Sequence, residues 1–281
     1  MRSAVVLLLL SFSAHAQIAV TDDYGYAVRL PAPAARIVSL APHLTELVYA
    51  AGAGDRMVGA VDYSDFPAPA RELPRVGSDA QINIESVLAL RPDLIVAWPN
   101  AGSVRAVNRL AQLGLPVFRS EPRELEDIAT TLERIGALAA TSAQAQAAAR
   151  AFRARRSELE KRYSARPKLR VFYQVWERPL LTVNGDHVIS KVIALCGGEN
   201  VFAALPLLAP EVDVEAVLRA NPQVVLSSRA GAVPPKWLPA SRFYVIPADL
   251  VQRHTPRLLD GAEAICRALE DARGDARTPR S

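Results

Sequence analysis

The chain has 281 residues, half of them hydrophobic and 22% charged, with a formal net charge of +4. At roughly 100–200 residues per domain this length gives about two domains, and the composition is that of a globular chain with sizeable cores rather than a disordered one. The 33 basic residues are interleaved with 29 acidic ones and no run of five like charges occurs, so nothing marks a nucleic-acid-binding tail.

At the start, Arg2 precedes the apolar run 4–10, and Ala14-His15-Ala16 supplies a small-x-small site. This is the three-part pattern of a secretory signal peptide, with cleavage expected after Ala16. A membrane anchor is the alternative, but the run is far short of the ~20 residues that span a bilayer. No cysteine follows the cleavage site, so no lipid anchor is expected, and the mature chain is expected to be exported and soluble.

A first lobe, 17–124, reads as strands alternating with helices. Residues 37–40 form a strand that Pro42 stops, 45–51 form a helix ended by Gly52, and 57–61 form a second strand. Asn83 then caps a short helix with Glu85 in its first turn, and Pro92 forces the chain out into the apolar strand 94–98. A helix over 104–113, ended by Gly114, leads to a short strand at 116–118. Strands that are apolar throughout point to parallel sheets covered on both faces.

From 125 to 166 the composition turns to Ala, Glu, Arg, Leu and Gln. Ile128, Leu132, Ile135 and Leu138 recur at helical spacing, Gly136 is expected to break the helix, and Thr141-Ser142 to cap a longer one reaching Tyr163. This segment is a stiff helical connector. A second lobe, 167–281, restarts the pattern. It has a strand at 169–175, a loop with Pro179 and Asn184-Gly185, and a helix over 190–196 before Gly197-Gly198. A strand at 243–246, a last helix over about 256–272 and a polar tail complete it.

One unit occurs twice. Residues 84–97 are echoed 130 residues later by 214–227, helix then Pro then apolar strand, with Glu85 and Glu215 in matching first turns. The offset is far beyond the roughly 20–50-residue periods of solenoids, so two like lobes with a cleft between them are expected. The two cysteines, Cys196 and Cys266, lie 70 residues apart. In an oxidising compartment they are expected to pair and pin the last helix to the second lobe, two buried thiols being the alternative.

Several segments together resemble the periplasmic cobalamin (vitamin B12)-binding proteins of ABC importers. They are 36–47, Asp62-Tyr63-Ser64-Asp65-Phe66-Pro67, both repeat copies and Cys196-Gly197-Gly198-Glu199-Asn200-Val201-Phe202. The resemblance covers roughly 36–269. It implies two Rossmann-like α/β lobes with mainly parallel sheets, joined by one long rigid helix. It also implies a monomeric receptor, not an enzyme, that holds no cofactor and carries cobalamin or a related corrinoid. Haem or an iron-siderophore is the alternative ligand.

Carried over by position, the resemblance implies a cleft lined by Pro42, Tyr63 and Trp98 from the first lobe and by Trp176, Asp249 and Arg253 from the second. Aromatics suit the faces of a flat ring, and polar groups its amide rim. Trp98 ends a parallel strand, where α/β sheets place ligands, although a core role is open to it. Asp249 and Arg253 also fit a local i,i+4 ion pair. Glu85 and Glu215 are implied to dock on arginines of a two-fold permease, and the same acids also suit the positive end of a helix dipole.

The chain departs from that pattern at Ala209 and Asp79, where aromatics are replaced, and near Leu181. His43 stands at a strand–helix corner as a polar loop residue or as a contact to a ligand's metal, and His187 and His254 are similarly open. A secreted α/β hydrolase is the competing class. No Gly-x-Ser-x-Gly elbow occurs, however, and Pro42 stands where a dinucleotide-binding turn needs glycine.

Overall fold

The computed structural model describes residues 17–236 and 242–275. The expected signal peptide, 1–16, and the end of the polar tail, 276–281, lie outside the described residues. The described chain opens on an antiparallel hairpin absent from the sequence-based expectation, β1 (Ile18–Thr21) and β2 (Ala27–Leu30). Its turn is held by Asp22, whose Oδ1 accepts the backbone N–H groups of Tyr24 and Tyr26, and by Gly25 at φ +83°.

The first sheet follows from β3 (Ile37–Ser39), α1 (Pro42–Ala50), β4 (Met57–Ala60), α2 (Ile84–Ala89), β5 (Leu94–Ala97), α3 (Val104–Gln112) and β6 (Val117–Arg119). Its order is β4-β3-β5-β6, parallel throughout. Successive residues of β5 serve opposite faces. Leu94 and Val96 pack inward with Leu44, Leu47 and Phe118, and Ile95 and Ala97 pack outward with Val87, Val107 and Leu110.

The connector is a packed pair, α4 (Leu125–Leu138) and α5 (Ser142–Tyr163), of which α5 is the long member. At 1.5 Å per residue its 22 residues span about 33 Å. Gly136 does not break α4 as expected. A Cβ at that position would lie 2.2 Å from the Cβ of Ala145, so the glycine instead lets the two helices approach closely. The turn falls after it, at Ala140 with φ +49°. Thr141 occupies the N-cap of α5 without a side-chain cap hydrogen bond.

The second lobe runs through β7 (Leu169–Gln174), the small hairpin β8 (Trp176–Glu177) and β9 (Leu180–Leu181), then α6 (Val188–Leu195) and β10 (Gly198–Asn200). It continues with α7 (Val214–Ala220), β11 (Val224–Ser227), β12 (Phe243–Val245), α8 (Ala248–Val251) and α9 (Leu258–Asp275). The sheet order is β10-β7-β11-β12, again parallel throughout and wired as in the first lobe. The two repeat copies become α2–β5 and α7–β11. Asn83 and Asp213 cap the helices by accepting the N–H of Ser86 and Ala216. Arg91 and Asn221 end them in the left-handed region, at φ +46° and +45°, each just before a proline.

One continuous apolar core runs from the inner face of the first sheet through Ile128, Leu132, Ile135 and Phe152 to Val171, Leu226 and Ile265. The connector therefore helps build both lobes. Cys196, at the end of α6, is bonded to Cys266 of α9 with an S–S distance of 2.05 Å. Arg273 adds a second tie, its guanidinium donating to the carbonyls of Cys196, Gly197 and Pro167.

Candidate functional site

A cavity of about 260 Å3 lies between the lobes, at the carboxyl ends of the sheet strands. Trp98, directly after β5, and Glu121, Pro122 and Arg123, after β6, form the first-lobe wall. Val175 after β7, Ala209, His187 at the start of α6 and His254 after α8 are among those that face them. The lining is mostly apolar with a few polar groups, which suits an organic ligand, and the place is where parallel α/β sheets put ligands.

Three imidazoles run beside Trp98. The His43 ring meets Trp98 edge-on with centroids 5.5 Å apart, stands 6.0 Å from His254, and His254 stands 5.6 Å from His187. Burial pushes the His43 pKa down to about 4, helped by the Arg253 guanidinium. Burial alone pushes His187 down to about 4, and holds His254 well below its ordinary value with help from the other two rings. All three are therefore neutral at neutral pH. His187 Nδ1 accepts the N–H of Ile189 at 3.1 Å and so caps α6, which leaves its proton on Nε2. His43 Nε2 is buried without a partner. Among the described residues no group of three or more His, Cys, Asp or Glu is placed to hold a metal ion.

Of the six residues assigned to the ligand from the sequence, Trp98 lines this cavity. Pro42 starts α1 and is half-buried. Tyr63 is 77% exposed at φ +62°, on the rim of the first lobe. Trp176 is 53% exposed, and its indole N–H donates to the Arg178 carbonyl at 3.0 Å. Asp249 and Arg253 do form the i,i+4 pair, at 3.2 Å, but Arg253 also crosses to the first lobe. Its Nη1 meets Glu46 Oε1 at 2.9 Å and Asp65 Oδ1 at 2.6 Å, and its Nη2 meets the Tyr63 carbonyl at 3.2 Å. Arg257 meets the same Glu46 oxygen at 3.2 Å and lies over the Phe66 ring at 4.0 Å.

Sequence reasoning missed Glu121, Pro122, Val175 and Glu46. The first three lie within three residues of the ends of β6 and β7, so the strand-end rule applied to every strand would have found them. Glu46 carried no signal, because only the tertiary structure brings it to Arg253. Ala209, noted as a departure from the aromatic pattern, lies on the cavity wall. Glu85 and Glu215 are exposed in the first turns of α2 and α7, at matched places on the two lobes.

The chain belongs to the periplasmic binding protein family, whose model matches residues 37–234. The family is one of solute-binding proteins rather than enzymes, which removes the hydrolase alternative. The chain is 40% identical over 252 residues to the vitamin B12-binding protein of Vibrio cholerae, covering 86% of this chain and 91% of that one. The crystal structure of the periplasmic vitamin B12 binding protein BtuF of Vibrio cholerae superposes with a TM-score of 0.80 at 40% identity, over 86% of this chain and 98% of that one. The periplasmic haem-binding protein RhuT from Roseiflexus sp. RS-1 shares the fold at 22% identity, with a TM-score of 0.73 over 84% and 98% of the two chains. Among the described residues no helix is long and apolar enough to cross a membrane.

Proposed function

We propose that this protein is a periplasmic receptor that captures cobalamin or a related corrinoid in the inter-lobe cleft and delivers it to an ABC importer. The observation that carries this reading is the 40% identity, over most of both chains, to the vitamin B12-binding protein of Vibrio cholerae. In this reading the chain is exported by a peptide cleaved after Ala16 and acts as a monomer. Its lobes, 17–124 and 167–281, are held by the connector at 125–166. Pro42, Tyr63 and Trp98 meet the ligand from one lobe and Trp176, Asp249 and Arg253 from the other. Ala209 leaves room on the wall where the resembled pattern carries a tryptophan. Haem or a ferric siderophore is the second reading, and the likeness to haem binders extends to the fold alone.

Calorimetry on the mature protein tests the ligand. Cobalamin is expected to bind with micromolar or tighter affinity, and silence with cobalamin beside clear binding of haem or a ferric siderophore would refute the corrinoid assignment.

Glu85 and Glu215 are the docking acids of this reading, one per lobe, offered to arginines on the two halves of a permease dimer. Both are exposed, and both sit in a helix first turn that fixes their direction. Replacing both by alanine is expected to leave calorimetric binding unchanged and to abolish most ligand uptake by cells. Normal uptake by the double variant would remove the docking role.

A further inference from the structure

The charged end of the cleft differs from the apolar end. Glu46 lies on α1 with its side chain 3% exposed, and Arg253 reaches it from the opposite lobe with its own side chain 13% exposed. Through Glu46, Asp65 and the Tyr63 carbonyl, one guanidinium holds three first-lobe acceptors. Gln252 and His254, on either side of Arg253, line the cavity, so this clasp sits at its flank. The volume of this partly open cavity, about 260 Å3, falls below the roughly 300–1,000 Å3 of ordinary small-molecule sites, and a corrinoid needs more than a drug-sized ligand does.

We infer that Glu46 and Asp65 set the affinity of this receptor by holding Arg253 in an inter-lobe latch that keeps the cleft narrow and that an incoming ligand must break. The nature of the ligand rests on the corrinoid reading above; the latch itself does not. Ligand amides replace the first-lobe acceptors on Arg253, and Arg257 remains to neutralise Glu46, whose second oxygen is buried without a partner. An uncompensated buried carboxylate would be costly, so the second arginine is what lets the latch open without leaving one. A receptor whose binding-competent state is only fractionally populated binds more weakly by that fraction, and weakening the latch raises the fraction.

The test uses Glu46→Gln and, at the more exposed partner, Asp65→Asn, in the full mature chain. Hydrogen exchange of the 62–66 amides is followed without ligand, and cyanocobalamin affinity is measured by calorimetry. Both variants are expected to exchange faster over 62–66 and to bind tighter, by about tenfold for Glu46→Gln and about threefold for Asp65→Asn. A merely structural role lowers the melting temperature without tightening binding, and unchanged or weaker affinity in folded variants overturns the inference. Should Glu46→Gln fail to fold, Asp65→Asn decides alone. Silence of the parent protein with cyanocobalamin sinks the corrinoid reading and leaves exchange to judge the latch: faster exchange in the variants upholds it, unchanged exchange overturns it.

Discussion

The two lobes share strand order, parallel direction and the repeated helix–strand unit, yet they cover their outer faces differently. In the first lobe α3 lies between β5 and β6, and Val107 and Leu110 of that helix pack over Val38, Ile95 and Val87. In the second lobe the outer face carries the smaller cluster of Phe172, Phe202, Val217 and Val225. Beside it a groove of about 530 Å3 is lined by Phe172, Val217, Val225 and Pro234, among others. The second lobe also carries ties at its last helix: the Cys196–Cys266 bond and the buried Arg273, both fixing α9. Shared wiring therefore does not imply shared energetics, because topology is set by the strands and stability by what covers them.

The disulfide gives the largest expected break in that comparison. Replacing both cysteines by serine frees a loop of 70 residues and is expected to cost about 4 kcal/mol. The loss should fall on the second lobe: hydrogen exchange there should accelerate while α2 and β5 keep their protection. Equal acceleration in both lobes would mean that the core through α4 and α5 makes them one cooperative unit.

A smaller effect compares one residue type at one repeat position. Val87 and Val217 are 0% and 1% exposed in the two copies. Val87→Ala, closed in by α3, is expected to cost about 2.5 kcal/mol, whereas Val217→Ala, beside the groove, leaves a site that relaxes and costs about 1.5 kcal/mol. Denaturant midpoints at constant slope measure both. Equal losses would show that the groove wall is as tightly packed as the covered face.

Much of this architecture is legible in the chain because its signals are local. Pro92 and Pro222 end their helices by sterics, Asn83 caps one copy, and four-residue apolar strands announce burial on both faces. β10 is different: Gly198-Glu199-Asn200 has little intrinsic strand preference. It forms because Gly198 lets the backbone approach, where a Cβ would come within 2.6 Å of Ile193 and 3.0 Å of Val171. Gly136 misled for the same reason, since the punctuation of a helix and the contact surface of two helices use one residue type.

The ligand wall divides in the same way. Trp98 was assigned to the cleft by the family resemblance, and its place after an apolar strand agrees with a local rule. Arg253 was found as well, but its partners Glu46 and Asp65 lie 207 and 188 residues away in sequence, and no spacing predicts such pairs. The three imidazoles are likewise ordinary singly and become a buried neutral row only when the lobes meet.

By itself the sequence determined two parallel α/β lobes, their duplicated helix–strand unit, the helical connector and the matched exposed acids, because periodicity, proline and capping act within a few residues. Only the tertiary structure decided that Glu46 and Arg253 close one end of the cleft while Trp98, His187 and Ala209 line the other. Those choices rest on burial and charge pairing between segments that the chain brings together only by folding.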